Sequence, residues 1–227
     1  MAAKPVVLVL GAGPRIGASV SEKFASNGYR VAIASRKGLK TTDGILSLKA
    51  DFAKPDSIPA LFSAVRAEFR ASPSVVIYNA AALTSTPDKD SMFSIPAESV
   101  ASDLSVNTVS PYVAAQQAVS GWETLPKETK KTFIYTGNIM NVSIVPMPLM
   151  MDLGMGRSAS AFWIGVADAM YSAQGFRFFY ADERHGDGKF KGQTLDGSAH
   201  AEFYTQLANH ENVPWHATFV KGNVNIR

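Results

Sequence analysis

Three glycines, Gly11, Gly13 and Gly17, follow directly on the aliphatic run Val6-Val7-Leu8-Val9-Leu10 and open a segment of helical spacing. Glycine there meets three demands of a phosphate-binding turn: positive φ, close approach of the backbone to a pyrophosphate, and tight packing of helix on strand. The free N–H groups at the start of the following helix would face the phosphates. Arg15 and Ile16 belong to the same turn, and Arg15 adds a cation to it. The next apolar run closes on Ser35-Arg36-Lys37, with no carboxylate. An acid at that place takes the free 2′-hydroxyl of NAD, whereas cations suit a 2′-phosphate through charge-assisted bonds. The residues therefore predict NADP(H), with Ser35 and Arg36 at the phosphate; an exposed basic turn is the alternative. Asp51, with Phe52 beside it, is placed to accept from the adenine amino group or else to cap a turn. The small residues of Asn79-Ala80-Ala81 would let the backbone lie against a ribose.

Candidates for proton transfer are fewer. The run Ala181-Asp182-Glu183-Arg184-His185 puts four ionisable residues together. His185 suits a general acid or base near neutral pH, oriented by Asp182 or Glu183; a solvated charged turn is the other reading. Tyr180 and Tyr135 are phenols that suit proton transfer or, equally, core aromatics. Thr136 and Asn138 can donate to a substrate carbonyl or cap a strand end. The chain has no cysteine, which removes disulfides, zinc–thiolate sites and a thiol nucleophile. The histidines at 185, 200, 210 and 216 have no metal-ligand spacing, so no metal is expected.

The elements that must carry these groups alternate between strand and helix. Buried strands are expected at Val6 to Leu10, Tyr29 to Ser35, Ile45 to Ala50, Ser74 to Tyr78, Thr132 to Thr136, Gly175 to Tyr180 and Trp215 to Val220. Helices are expected from Ala18 to the stop at Asn27-Gly28, from Pro55 to about Phe69, from about Ala97 to Trp122, from about Ser158 to Ala173, and from Ser198 to Asn209. Residues 38–43 are read as a loop or single turn. Asn107 falls inside the third helix among apolar neighbours, where an amide must find partners. The Met-rich run from Pro146 to Gly156 reads as a flexible apolar loop, suited either to a hydrophobic substrate or to core or subunit packing. The glycine-rich 186–197 reads as a mobile lid or an ordinary surface loop. This pattern predicts one α/β domain over residues 1–227: a Rossmann-type doubly wound sheet of about seven parallel strands with helices on both faces. Substrate-side loops would lie at about 138–157 and 182–198.

Nearly the whole chain resembles the short-chain dehydrogenase/reductase family. The turn Gly11 to Gly17 looks like the family's T-G-x-x-x-G-x-G, Asp51 like its adenine-contacting Asp, and Asn79-Ala80-Ala81 like its N-A-G. Asn107, in Val106-Asn107-Thr108, looks like the helix asparagine that holds a water in the family's proton relay. The resemblance implies NAD(P)(H) binding, a small-molecule substrate, and pairing of long helices into dimers or tetramers. A group of fungal proteins of this family, described mostly as NAD(P)-binding, is also similar. The catalytic half departs from the pattern. Gly137 stands at the family's catalytic Ser with Thr136 beside it, Arg157 at its Tyr and Ala161 at its Lys; Leu10 and Arg15 also replace residues of the glycine motif.

A net charge of +3 with scattered Lys and Arg gives no sign of nucleic-acid binding. No apolar run approaches the ~18 residues of a membrane span. The chain enters a strand almost at once, without the pattern of a secretion signal, so a cytoplasmic location is expected. Three functions remain open: an NADP(H)-dependent oxidoreductase of an apolar carbonyl or alcohol with a non-standard proton donor drawn from Asn107, Thr136, Tyr180 and His185; an NADP(H)-binding sensor or scaffold without turnover; and a redox-neutral isomerase or cyclase in the same pocket.

Overall fold

Strand β1 (Val6–Leu10) is buried along its full length because it lies inside a sheet covered on both faces. The computed structural model describes residues 4–38, 44–210 and 212–224; the loop expected at 38–43 therefore falls mostly outside the described residues. Strands β2 (Arg30–Ser35), β3 (Ile45–Lys49), β4 (Val75–Tyr78), β5 (Lys131–Thr136), β6 (Phe176–Glu183) and β7 (His216–Val220) join β1 in parallel. The order is β3-β2-β1-β4-β5-β6-β7, and a two-residue antiparallel strand β8 (Asn223–Val224) adds an edge that the sequence pattern did not announce.

The pleat sorts side chains between two cores. Val6, Leu8 and Leu10 face helices α2 (Ile58–Phe69), α4 (Ser110–Trp122) and α5 (Met151–Tyr171), which supply Phe62, Trp122 and Ile164. Val7 and Val9 face α1 (Ile16–Ser26) and α6 (Gly197–Ala208), which supply Phe24 and Tyr204. Helix α2 ends at Arg70, which takes a left-handed conformation at φ 54°.

Three elements differ from expectation. The helix expected from Ala97 to Trp122 is α3 (Ala97–Leu104), a π turn (Ser105–Val109) and α4. Helix α5 starts at Met151, so the last part of the expected Met-rich loop is helical. Strand β6 runs on to Glu183, which makes Asp182 and Glu183 buried strand residues rather than parts of a solvated turn.

Candidate active site

The strand order reverses between β1 and β4, and ligands of such sheets bind in the crevice at the carboxyl ends there. Gly11, at φ 96°, brings its backbone so close to β4's continuation that an added Cβ would lie 2.3 Å from Ala80 N. Asn79 locks the same junction, its Nδ2 donating to Gly11 O at 2.8 Å. Gly17 packs helix onto turn, since a Cβ would meet Ala12 Cα at 2.6 Å. The α-carbon of Gly13 faces open space. A cleft of about 470 Å³ results, and Gly11, Gly13, Ser35, Arg36, Asp51, Phe52, Asn79, Ala80 and Ala81 all line it. Sequence reasoning missed Ala12, Ala53, Ser102, Asp103 and Val106 in its wall. Asp103 lies one helical turn before Asn107, a spacing that placed it on the same helix side.

The other predicted members lie elsewhere. Ile16 is buried in the α1 core, and Gly17 acts through packing alone. Arg15 is tied to a distant segment, its Nη1 donating to Gln193 O. Asp51 accepts from Ala53 N at 3.1 Å, so it caps a turn while lining the cleft. Ser35 Oγ is buried without a hydrogen-bond partner among the described residues, beside the exposed Arg36. Ser35 lines the cleft, so a turn of its side chain would offer this unsatisfied hydroxyl to a ligand oxygen.

The candidates for proton transfer do not converge. Tyr78, Tyr135 and Tyr180 are in register on β4, β5 and β6 and form a ladder of stacked rings, with centroids 5.9 and 5.6 Å apart. Pro111 explains two of the hydroxyl partners. It has no N–H to give, which leaves Val106 O without an i+5 donor and Asn107 O without an i+4 donor. Tyr78 OH donates to Val106 O at 2.6 Å and Tyr135 OH to Asn107 O at 2.7 Å. Ser160 Oγ takes the other side of Asn107 O at 2.8 Å. The Asn107 amide is closed as well, accepting from Ala82 N and donating to Ala82 O. Tyr180 OH donates to Asn138 O at 2.9 Å and accepts from Asn138 N at 3.1 Å. Burial raises its pKa above the ordinary phenol value, so it holds its proton. Thr136 Oγ1 accepts from Tyr204 OH at 2.8 Å. His185 stands exposed at the turn after β6 with neither carboxylate as partner: Asp182 pairs with Arg184 at 2.7 Å and Glu183 with Lys191 at 3.2 Å.

Glu183 also accepts from Asp196 N at 2.8 Å, and His200 Nδ1 bonds Asp196 O at 2.7 Å. Burial lowers the His200 pKa, so a neutral ring donates to that carbonyl. These bonds and the Arg15 contact fasten the segment 184–197 to β6 and to the glycine turn. On the other side, a cavity of about 760 Å³ lies over the start of α5. Six of the eight methionines, Met92, Met140, Met147, Met150, Met151 and Met155, line it. Soft thioether side chains thus form a large part of the wall.

Comparison with known proteins gives this arrangement its family. The short chain dehydrogenase family model matches residues 5–146. A short chain dehydrogenase/reductase of Cryptosporiopsis sp. is 39% identical over 230 residues, covering 96% of this chain and 92% of the relative. The chain belongs to the short-chain dehydrogenase/reductase family. These are oxidoreductases that bind a nicotinamide cofactor and act on small molecules, and they are commonly oligomeric. Solved structures share the fold. A double mutant of a Serratia marcescens short-chain dehydrogenase/reductase superposes with a TM-score of 0.78 at 20% identity, covering 96% of each chain. A metagenomic short-chain oxidoreductase in complex with NADP gives 0.77 at 15% identity, covering 95% of this chain and 96% of that one. A short chain dehydrogenase of Leptospira borgpetersenii with bound NAD+ gives 0.77 at 16% identity, covering 96% and 91%.

Within this short-chain dehydrogenase/reductase, the positions that the resemblance assigns to Ser, Tyr and Lys are physically committed to other uses. A Cβ on Gly137 would lie 2.2 Å from the Tyr180 ring, so no serine fits. Arg157 is buried, lies 4.8 Å from the centroid of the Tyr135 ring, and donates through Nη1 to Thr136 O. Ala161 is a core residue of the α5 contact with the sheet. Among the described residues no helix is long and apolar enough to cross a membrane.

Proposed function

We propose that this family member is an NADP(H)-dependent oxidoreductase interconverting an apolar carbonyl compound and its alcohol. On this reading residues 1–227 act as one cytoplasmic domain, paired as a homodimer or homotetramer through α4 and α5. The observation that carries the cofactor choice is the unpartnered Ser35 Oγ beside Arg36, at a strand end without a carboxylate. Ser35 and Arg36 would hold the 2′-phosphate, the turn from Gly11 to Gly13 the pyrophosphate, Asp51 the adenine, and Asn79 to Ala81 the ribose. A bound nicotinamide dinucleotide supplies or accepts a hydride. The methionine-lined cavity would bind the apolar partner and exclude water from it. The phenols Tyr135 and Tyr180, being bonded internally, are not the proton donors on this reading.

A second reading, binding of NADP(H) without turnover, is favoured by one observation: two side-chain hydroxyls use the Asn107 carbonyl, where the resemblance expects a relay water. Titration with NADPH and NADH, followed by nicotinamide fluorescence and thermal shift together, tests the shared part. Arg36→Asp is expected to weaken NADPH binding by at least about tenfold, the scale of one lost charge-assisted bond, with NADH within a few fold. Equal loss for both would remove the 2′-phosphate argument. Turnover of NADPH against a panel of apolar ketones supports the oxidoreductase; tight binding with no turnover across the panel supports the sensor.

A further inference from the structure

Across the cleft from Ser35 and Arg36, its wall carries a carboxyl group that the dinucleotide reading leaves without a task. Asp103, on α3, is 7% exposed and lines the cleft. Behind it lies Asp152, fully buried in the first turn of α5. Thr84 joins them: its hydroxyl donates to Asp103 Oδ2 at 2.8 Å and its N–H to Asp152 Oδ2 at 3.0 Å. Leu153 N–H donates to Asp152 Oδ1 at 2.7 Å. The two carboxyl groups are thus held next to one another by a single threonine.

Two ionised carboxylates held together in a buried place repel, so such a pair favours a proton on one member. Asp152 is the deeper member, bonded to two backbone N–H groups, and Asp103 is the one that lines the cleft. Burial and the neighbouring Asp152 raise the Asp103 carboxyl, so the proton is assigned to Asp103. Among the described residues neither group is in an ion pair. The elements packed on α3 offer no free cation. On α5, the Arg157 guanidinium is taken up by Thr136 O and the Tyr135 ring, and the π turn Ser105–Val109 has no titratable side chain. The charged groups sharing the cleft are Arg36 and Asp51.

We propose that the Asp103–Asp152 pair is part of the nucleotide site and couples binding of the phosphate-bearing ligand to uptake of one proton at Asp103. The inference rests on the dinucleotide reading above. An ionised Asp103 would set a further negative charge against a polyanionic ligand, whereas a protonated Asp103 faces it as a neutral group able to donate. Burial first, then the neighbouring Asp152, hold its carboxyl up at about 6. Arriving phosphates raise it further, so near neutrality binding draws a proton from solution. Affinity then falls as pH rises above about 6, by up to about tenfold per unit until the carboxyl of the complex also ionises.

The test is calorimetric titration of the full chain with NADPH and with NADH, from about pH 5.5 to about pH 8, in two buffers of different ionisation heat. NADH is needed because the 2′-phosphate of NADPH itself ionises near ~6. The parent is expected to take up more protons per ligand than Asp103→Asn, and to lose about tenfold more affinity across the range. If the variant fails to fold, the parent with NADH decides alone, since that ligand brings no 2′-phosphate. Equal proton counts in parent and variant, or no uptake by the parent on binding NADH, overturn the coupling and leave the dinucleotide reading standing. Failure of both ligands to bind at any pH overturns the dinucleotide reading, and the coupling with it.

Discussion

At the scale of single residues, the cofactor cleft and the catalytic half obey different logic. In the cleft, glycine is required by backbone: Gly11 combines a left-handed φ with a neighbour at 2.3 Å. In the catalytic half, glycine is required by a side chain, since the Tyr180 ring fills the place of any Cβ on Gly137. Restoring the family serine alone should therefore fail. Gly137→Ser is expected to destabilise the fold by about 2 kcal/mol or more, as overpacking does, with no gain in ketone reduction. Thermal melting and a turnover assay check it, and a variant as stable as the parent would sink the argument. What was legible follows the same division. The positive φ of Gly11 and the bond of Asp51 to Ala53 N are features of local turns, which spacing reveals. The tie of Arg15 to Gln193 and the closure of Asn107 by Tyr135 and Ser160 depend on contacts between distant parts of the chain, which no local pattern carries. Pro111 was the one local sign that the Asn107 carbonyl needs an outside donor.

Elements were legible where burial set a clear period and misplaced where packing overrode composition. The start of α5 lies in the Met-rich run that reads as a loop, and it contains Gly154 and Gly156. Gly156 is helical because a Cβ there would lie 2.4 Å from Asn107 Cβ, so glycine permits the close crossing of α5 over the π turn. Strand β6 outran its expected end because Asp182 and Glu183 find partners in Arg184, Lys191 and Asp196, which allows charged residues to continue a buried strand. The outer surface of α4 and α5 raises a separate question of partners. Phe162 is 75% exposed, Met170 65% and Tyr112 49%, a large apolar share for a surface left in water. On the proposed pairing, a second copy would cover it. Phe162→Glu is expected to weaken self-association by at least about tenfold, the effect of a charge in an apolar contact. Sedimentation velocity over a concentration series measures this; a parent that is monomeric throughout would refute the pairing.

For the whole molecule, the sheet's carboxyl edge concentrates ionisable groups inside the protein, and their protonation couples to folding. Asp182 is fully buried, and burial pushes its carboxyl up to about 6 although Arg184 pulls the other way. A carboxyl raised in the folded state binds its proton more tightly there than in the unfolded chain. Its stabilising effect is complete below about pH 4 and is lost as pH rises through about 6. Burial lowers the pKa values of His200, His210 and His216, which works in the opposite sense, favouring the fold as pH rises through the ordinary histidine range. The melting profile of the unliganded protein is thus a competition, and a difference between variants isolates one side of it. Asp182→Asn removes the titrating group while leaving the histidines in place. Relative to the parent, the variant should gain stability between about pH 4 and about pH 6, by up to about 3 kcal/mol, or several degrees in Tm for a chain of this size. Above that window the difference should stay level. A Tm difference that is flat across the window would mean that Asp182 is ionised in the fold at all these pH values, stabilised by Arg184 more than burial opposes it.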